Sequence, residues 1–317
     1  MTPFIPIASQ TDHRRFIKAP IELNVYQTHA CNLKCSFCSL TKGETEVALD
    51  VTPQILKRAI ELYPTIQTAC IAGFGEPLVS KYVFDNIQFL NEKGVNVGLI
   101  TNGILIDKMI ADLSHVKLSY VSVSLNAISE KEFQKLVAAK TGDFLKVTDG
   151  IALLSQAGLK TYVSFVISKH NYAKIPDFID FALSCGANFV TLLNILPNIT
   201  DHYHTQSGFW ESVITDEDQE VLESLKKYQT LPQAHRVFVW PKAISKTTCP
   251  STCDSPFVTI GIDGRGMISG CRRVVAPSQW NGRLEDGQET YYWQKEKAML
   301  LGTAPIRDHC KMCFGNW

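Results

Sequence analysis

Between residues 21 and 196 the sequence alternates six times between a short apolar or β-branched run and a longer segment with helical spacing. The runs are IELNVYQ (21–27), TACIAG (68–73), VNVGLIT (95–101), LSYVSVS (118–124), LKTYVSFVI (159–167) and NFVTLLNIL (188–196). The helical segments carry their own punctuation. Thr52 stands as an N-cap with Pro53 at the first helical position, and Gly94 and Gly158 end two later helices. Strands that alternate with helices pair in parallel through right-handed crossovers. Functional side chains are then expected in the loops at the C-terminal ends of the strands. After Pro197 the pattern weakens, and residues 198–248 read as helix and connection, punctuated by Pro232 and Pro241. The stretch PFVTIGIDGRGMIS (256–269) reads as strand, Asp-Gly turn, strand. A domain boundary is expected near 240–250, with no internal repeat or long linker.

The 317 residues suit one large domain, or a large and a small one. Lys and Arg number 31, as do Asp and Glu. With a formal charge of zero, nothing calls for a nucleic acid or an anionic membrane as partner. The start, MTPFIPIASQTDHRRF, lacks the basic and apolar regions of a signal peptide. No apolar run approaches the ~18 residues of a membrane span. These features predict a soluble, cytoplasmic protein. Ten cysteines are many for that compartment, where clustered thiols read as metal ligands or reactive groups. Cys70 and Cys185 stand alone and read as small buried hydrophobes.

Cys31, Cys35 and Cys38 form a C-x3-C-x2-C loop directly after the first strand. Thiolates are the usual ligands of iron–sulfur clusters. Three of them on a four-iron cluster leave one iron open to a chelating ligand. A zinc site would need a fourth ligand, for which His29 is the local candidate.

On this loop the chain resembles the radical S-adenosylmethionine (SAM) superfamily, whose hallmark is the same spacing, often with an aromatic residue where Phe37 stands. The resemblance runs from about Ile21 to Leu196. It implies a partial (β/α)6 TIM-like barrel and a SAM-binding 4Fe–4S cluster. It also implies a 5′-deoxyadenosyl radical that takes a hydrogen atom from substrate, and an external one-electron reductant of flavodoxin or ferredoxin type. Gly73-Phe-Gly75-Glu76-Pro77 looks like the family's Gly-Gly-Glu-Pro loop, with Glu76 as acceptor for the SAM amino group. Thr101-Asn102-Gly103 looks like its Thr-Asn-Gly. Ser122, Ser124 and Asn126 end the fourth strand, where the family often has Ser-x-Asp near SAM. Asn126 keeps a hydrogen-bonding group there without the charge, so a SAM contact and a turn role both remain open.

Cys249, Cys253, Cys271, Cys310 and Cys313 crowd the last quarter of the chain. The layout of cysteine, hairpin, cysteine, long gap and C-x2-C resembles the SPASM/twitch extension of radical SAM barrels. It implies one auxiliary 4Fe–4S cluster, hence two in all. The resulting division is an N-terminal extension (1–20), a barrel (21–245) and a twitch domain of β-hairpin and helix (246–317). The twitch pattern assigns Cys253, Cys271, Cys310 and Cys313 as ligands, with Pro256 following the first. That leaves Cys249 as a free thiol, although the roles of Cys249 and Cys253 can be exchanged. A free thiol suits a hydrogen-atom donor, as in the peptide and aminoglycoside epimerases of the family. The expected reaction is therefore epimerisation of a peptide or sugar of natural-product type, with Cys249 as the catalytic residue. The alternative is a twitch-type dehydrogenase or peptide-modifying oxidase that passes electrons to the auxiliary cluster. Lys169, His202, His204, Arg272 and Arg273 are its candidate bases. A non-enzymatic iron–sulfur protein is the remote reading. Only 30 residues precede Cys31, fewer than a leader-binding domain needs, which tilts the expectation toward a small or separately presented substrate.

Overall fold

A computed structural model describes residues 20–36, 38, 49–195, 209–230, 236–240, 258–270 and 282–286. Its first elements are β1 (Glu22–Tyr26), α1 (Pro53–Leu62), β2 (Thr68–Ala72), α2 (Val83–Glu92), β3 (Asn96–Thr101) and α3 (Ile106–His115). There follow β4 (Tyr120–Ser124), α4 (Glu130–Val137), α5 (Asp143–Gln156), β5 (Thr161–Ile167), α6 (Ile175–Ser184) and β6 (Phe189–Asn194). All twelve lie where the sequence pattern puts them. Thr52 caps α1 by accepting from the Ile55 N–H, and Ser129 caps α4 through the Glu132 N–H. Beyond them come α7 (Phe209–Ser212), α8 (Gln219–Thr230), β7 (Val237–Trp240), β8 (Thr259–Asp263), β9 (Met267–Ser269) and β10 (Gly282–Arg283).

The strands form one sheet in the order β10-β9-β8-β1-β2-β3-β4-β5-β6-β7. β1 to β8 are all parallel, β9 runs antiparallel to β8, and β10 runs antiparallel to β9. This is an α/β, partial TIM-barrel-like fold. β7 corrects the reading of 198–248 as helix and connection. Four residues between prolines are too few to show a strand period, and the pairing with β6 supplies what local pattern does not. The hairpin assigned to the C-terminal unit joins the barrel sheet. β8 lies along the whole of β1, from Glu22↔Thr259 to Tyr26↔Asp263, and so satisfies an edge that would otherwise stay unpaired.

Side chains alternate between two faces. Val121, Val123, Val163, Phe165, Val190 and Leu192 are buried in the apolar core with the helices, and Phe165 stacks on Phe178 of α6 at 4.2 Å. The opposite face is the barrel interior, where Tyr120, Ser122, Ser124, Tyr162, Phe189 and Thr191 are half-buried. An aromatic row crosses its lower part, with ring separations of 5.6 Å for Tyr120–Tyr162, 4.7 Å for Tyr162–Phe189 and 5.8 Å for Phe189–Phe238. The Tyr120 ring fills the space over Gly98, and its hydroxyl donates to the half-buried Cys70 thiol at 3.5 Å. The eight parallel strands contain no Lys or Arg. Among the described residues, no helix is long and apolar enough to cross a membrane.

Candidate active site

Three loops meet at the C-terminal ends of β1, β2 and β3. The first carries Cys31, Cys35 and Cys38, all thiols. The Lys34 and Ser36 N–H groups donate to the carbonyls of Val137 (3.1 Å) and Leu136 (2.9 Å), the last residues of α4. The loop thus supplies donors that a helix end lacks. The second loop is Gly73–Pro77. Gly75 N–H donates to the Thr28 carbonyl at 3.0 Å and Glu76 N–H to the Ala30 carbonyl at 2.8 Å. A Cβ on Gly75 would lie 2.1 Å from the Ala30 oxygen, so only glycine allows this approach. At Gly73 a Cβ would stand 3.0 Å from the Gly75 oxygen and 3.1 Å from that of Thr28. Phe74, in the place of a small residue, stacks on Tyr26 at 4.5 Å and meets His29 edge-on at 5.3 Å.

Glu76 joins the second loop to the third. Its carboxylate is buried. Oε1 accepts from the Leu78 N–H (3.0 Å) and the Thr101 hydroxyl (2.6 Å), and Oε2 from the Asn102 N–H (2.6 Å). Burial raises its pKa, against the lowering effect of these three donors. A carboxylate has about four acceptor positions, so one is left for a ligand. Asn102 reaches back to the cysteine loop: its Nδ2 donates to Asn32 Oδ1 at 2.7 Å, and its side chain also hydrogen-bonds the Cys31 thiol.

Burial pushes the Cys35 thiol up to about 12, with Cys38 and then Cys31 adding to the rise. Cys31 is raised by burial. The Leu33 N–H opposes that rise, Glu76 and Cys38 add to it, and Asn102 opposes it. Burial disfavours the thiolates of Cys31 and Cys35, so a cation is called for to hold them as ligands. Among the described residues no three His, Cys, Asp or Glu side chains converge on a single ion. A cluster spreads its ligands over different irons, so this donor set fits a 4Fe–4S cluster better than zinc.

The ends of β4 and β5 flank these loops. Ser124 lies opposite Ser164, with their hydroxyls 3.4 Å apart. Asn126 is buried in the left-handed region at φ 58, and its Oδ1 accepts the Val166 N–H at 2.8 Å. That is the turn role, and it also turns Asn126 toward a cavity of 360 Å³ shared with Ser36, Phe165 and the ion pair of Glu132 with Lys174. Lys169 is held by Asp218 at 2.9 Å, and Asn171 closes the turn after β5 by accepting from the Ser168 N–H at 2.7 Å. Phe37, Cys249, Cys253, Cys271, Cys310, Cys313, His202, His204, Arg272 and Arg273 lie outside the described residues.

Two features escape the sequence pattern. Asp263, read as a turn residue, is fully buried at the catalytic end of β8. Its Oδ2 binds the Arg265 guanidinium at 2.7 Å, and its Oδ1 accepts the N–H groups of Arg265 (2.9 Å) and Met267 (3.0 Å). The Glu132–Lys174 pair joins residues 42 apart in sequence, a distance no local periodicity spans.

A parallel α/β barrel with a three-cysteine loop beside Gly-x-Gly-Glu-Pro defines a protein that places an iron–sulfur cluster at a strand end. The Radical SAM superfamily model matches residues 25–182, and the chain belongs to that superfamily. The probable GTP 3',8-cyclase of Sulfurisphaera tokodaii is 28% identical over 225 residues, covering 68% of this chain and 70% of that relative. The probable GTP 3',8-cyclase of Sulfolobus acidocaldarius is 28% identical over 181 residues, and the chain spans just over half of it, 56% of each. Among solved structures, Streptococcus suis SuiB bound to S-adenosylmethionine superposes with a TM-score of 0.66 at 18% identity, covering 93% of this chain and 71% of SuiB. Native anSMEcpe with bound AdoMet and Cp18Cys peptide gives 0.65 at 18% identity, covering 93% and 86%. These structural likenesses concern the fold.

Proposed function

We propose that this radical SAM enzyme holds its cluster on Cys31, Cys35 and Cys38 and abstracts a hydrogen atom from a peptide or an aminoglycoside or other sugar on the barrel's interior face. The observation that carries this reading is the bonding of three loops into one strand end, through Gly75, Glu76 and Asn102. When bound, the cluster and SAM supply a 5′-deoxyadenosyl radical. The chain's own residues do the rest. Glu76 offers its remaining acceptor position to an amino group. The 360 Å³ cavity walled by Asn126, Phe165 and Ser36 lies on the helix-facing side of the ends of β4 and β5, beside the cysteine loop and apart from that interior face. Ser122, Ser124 and Thr191 present hydroxyls above the aromatic row, which suits a substrate with polar edges and an apolar body.

The outcome we propose is inversion at a carbon, with the Cys249 thiol returning a hydrogen atom, in a protein that carries a second cluster on Cys253, Cys271, Cys310 and Cys313. An external flavodoxin- or ferredoxin-type reductant supplies electrons. The names of the curated relatives favour a second reading, cyclisation of GTP. A triphosphate calls for cations. The eight strands offer none on the interior face, whereas Lys135 and Lys174 line the cavity at the ends of β4 and β5, so the product formed from GTP decides between the two readings.

The test uses anaerobically reconstituted protein with dithionite and SAM in D2O. Two clusters correspond to about eight irons per chain. Peptide, aminoglycoside and GTP are supplied separately. Deuterium at one carbon of a product of otherwise unchanged composition supports inversion, and Cys249→Ala must then stop inversion while SAM is still cleaved. A product lighter by two hydrogens and free of deuterium selects oxidation. A cyclised GTP product selects the second reading. Failure to form 5′-deoxyadenosine under any condition overturns the reading as a whole.

A further inference from the structure

The cysteine loop leaves the sheet at Gln27 and returns at Val51. Gln27 is tied to β2 by its N–H, which donates to the Ala72 carbonyl at 2.9 Å, and its own carbonyl accepts the Val51 N–H at 2.8 Å. The Val51 carbonyl accepts two side-chain amides, Gln27 Nε2 at 3.0 Å and Asn86 Nδ2 at 2.8 Å. Asn86 Nδ2 also donates to Gln27 Oε1 at 2.9 Å. Gln27 Nε2 donates in addition to the Ser80 hydroxyl at 3.0 Å, and that hydroxyl donates to Asp50 Oδ2 at 2.8 Å. Gln27 and Asn86 are both 0% exposed. One buried cluster of amides therefore ties the end of β1, helix α2, the turn before α2 and the returning loop.

The cluster is not arranged for stability alone. Asn86 must aim its nitrogen at two carbonyl oxygens, and its own Oδ1 is left buried without a hydrogen-bond partner. An unmet buried acceptor is costly, and apolar side chains of the same shape would avoid it. What the amides give is a fixed position for the backbone they hold.

We propose that Gln27 and Asn86 are positioning residues for the cluster. Their amide pair fixes the stem of loop 28–50, so that Cys31, Cys35 and Cys38 stand in register with Glu76 and Asn102. The proposal rests on the cluster assignment made above, but its first readout does not need the cluster.

In apo-protein, hydrogen exchange followed by mass spectrometry compares wild type with Asn86→Leu. The expected result is about tenfold faster exchange in peptides from residues 28–36 and 49–51, because the variant loses both bonds from Asn86 Nδ2 and recovers part of that by removing the unmet Oδ1. Peptides from β4 to β6 should keep wild-type protection. After reconstitution, the reduced cluster's EPR signal should respond more weakly to added SAM than in wild type. Wild-type loop protection in a folded Asn86→Leu variant overturns the proposal, and so does an equal loss of protection across the barrel. Should that variant not fold, Ser80→Ala cuts the link from Gln27 to Asp50. It is expected to loosen the same peptides about threefold, and no change there overturns the proposal as well. A wild-type protein that takes up no iron sinks the cluster assignment instead, while the exchange result still judges the clamp.

Discussion

Gly75→Ala tests how the site is joined. The added Cβ would stand 2.1 Å from the Ala30 carbonyl oxygen, 2.7 Å from the Ala30 carbonyl carbon and 2.8 Å from that of His29. All three are backbone atoms of the cysteine loop, so no side-chain rotation relieves the clash. Ordinary contact begins near 3.4 Å, and the loops must therefore part by roughly 1.3 Å. That stretches both bonds between them, Gly75 N–H to Thr28 (3.0 Å) and Glu76 N–H to Ala30 (2.8 Å), beyond useful length. Two lost backbone bonds, with donors left partly unmet, cost about 3 kcal/mol in sum. For a barrel of this size that corresponds to a fall of roughly 6–12 °C in the apo-protein's Tm. Calorimetry should also show weaker SAM binding to reconstituted protein, because Glu76 moves with the loop. Gly158→Ala calibrates the experiment: at φ +74 with open space around it, it carries only the left-handed penalty of about 1 kcal/mol. If Gly75→Ala melts no lower than Gly158→Ala and binds SAM as wild type does, the welded-loop account is wrong.

Two further outcomes follow from single groups. Asn126→Asp keeps both the tolerance for φ 58 and an acceptor for the Val166 N–H, so SAM affinity should stay within about threefold of wild type, whereas Asn126→Leu should lose about tenfold or more; equal losses in an equilibrium binding assay would show that the acceptor does not matter. The pH dependence of the apo-protein should follow its thiols. The folded Cys35 pKa, about 12, lies above that of a free thiol, near 8.5, so its contribution to stability is present below pH ~8.5 and lost as pH rises toward 12. Melting temperatures between pH 7 and 10 should fall less steeply in Cys35→Ser than in wild type, and parallel slopes would refute the assignment.

How much of this was legible depends on the range of the interaction. The alternation of residues 21–196 carries its own period, and the twelve elements it predicts are present because each buries its apolar stripe against the same sheet. The roles expected of Cys31, Cys35, Cys38 and Glu76 come from motif spacing and the family resemblance, and at Gly75 the close backbone approach that such a loop implies is present. The Gln27–Asn86 clamp left none, since its members lie 59 residues apart and each reads as an ordinary polar residue in a loop or helix. β8 hid for the same reason. TIGID looked like half of a hairpin, and nothing local says that its other edge pairs with β1, 237 positions away at Glu22↔Thr259. That pairing bears on function as well as fold. It brings Asp263 level with Tyr26, the residue that stacks on Phe74 of the Gly73–Pro77 loop. The C-terminal hairpin is thereby fixed to the strand that launches the cysteine loop. The turn of that hairpin therefore lies at the catalytic end of the barrel, beside the Gly73–Pro77 loop. β9 then runs back with Ser269 opposite Gly261, so it is the turn residues Gly264 to Gly266 that stand nearest the three loops of the site.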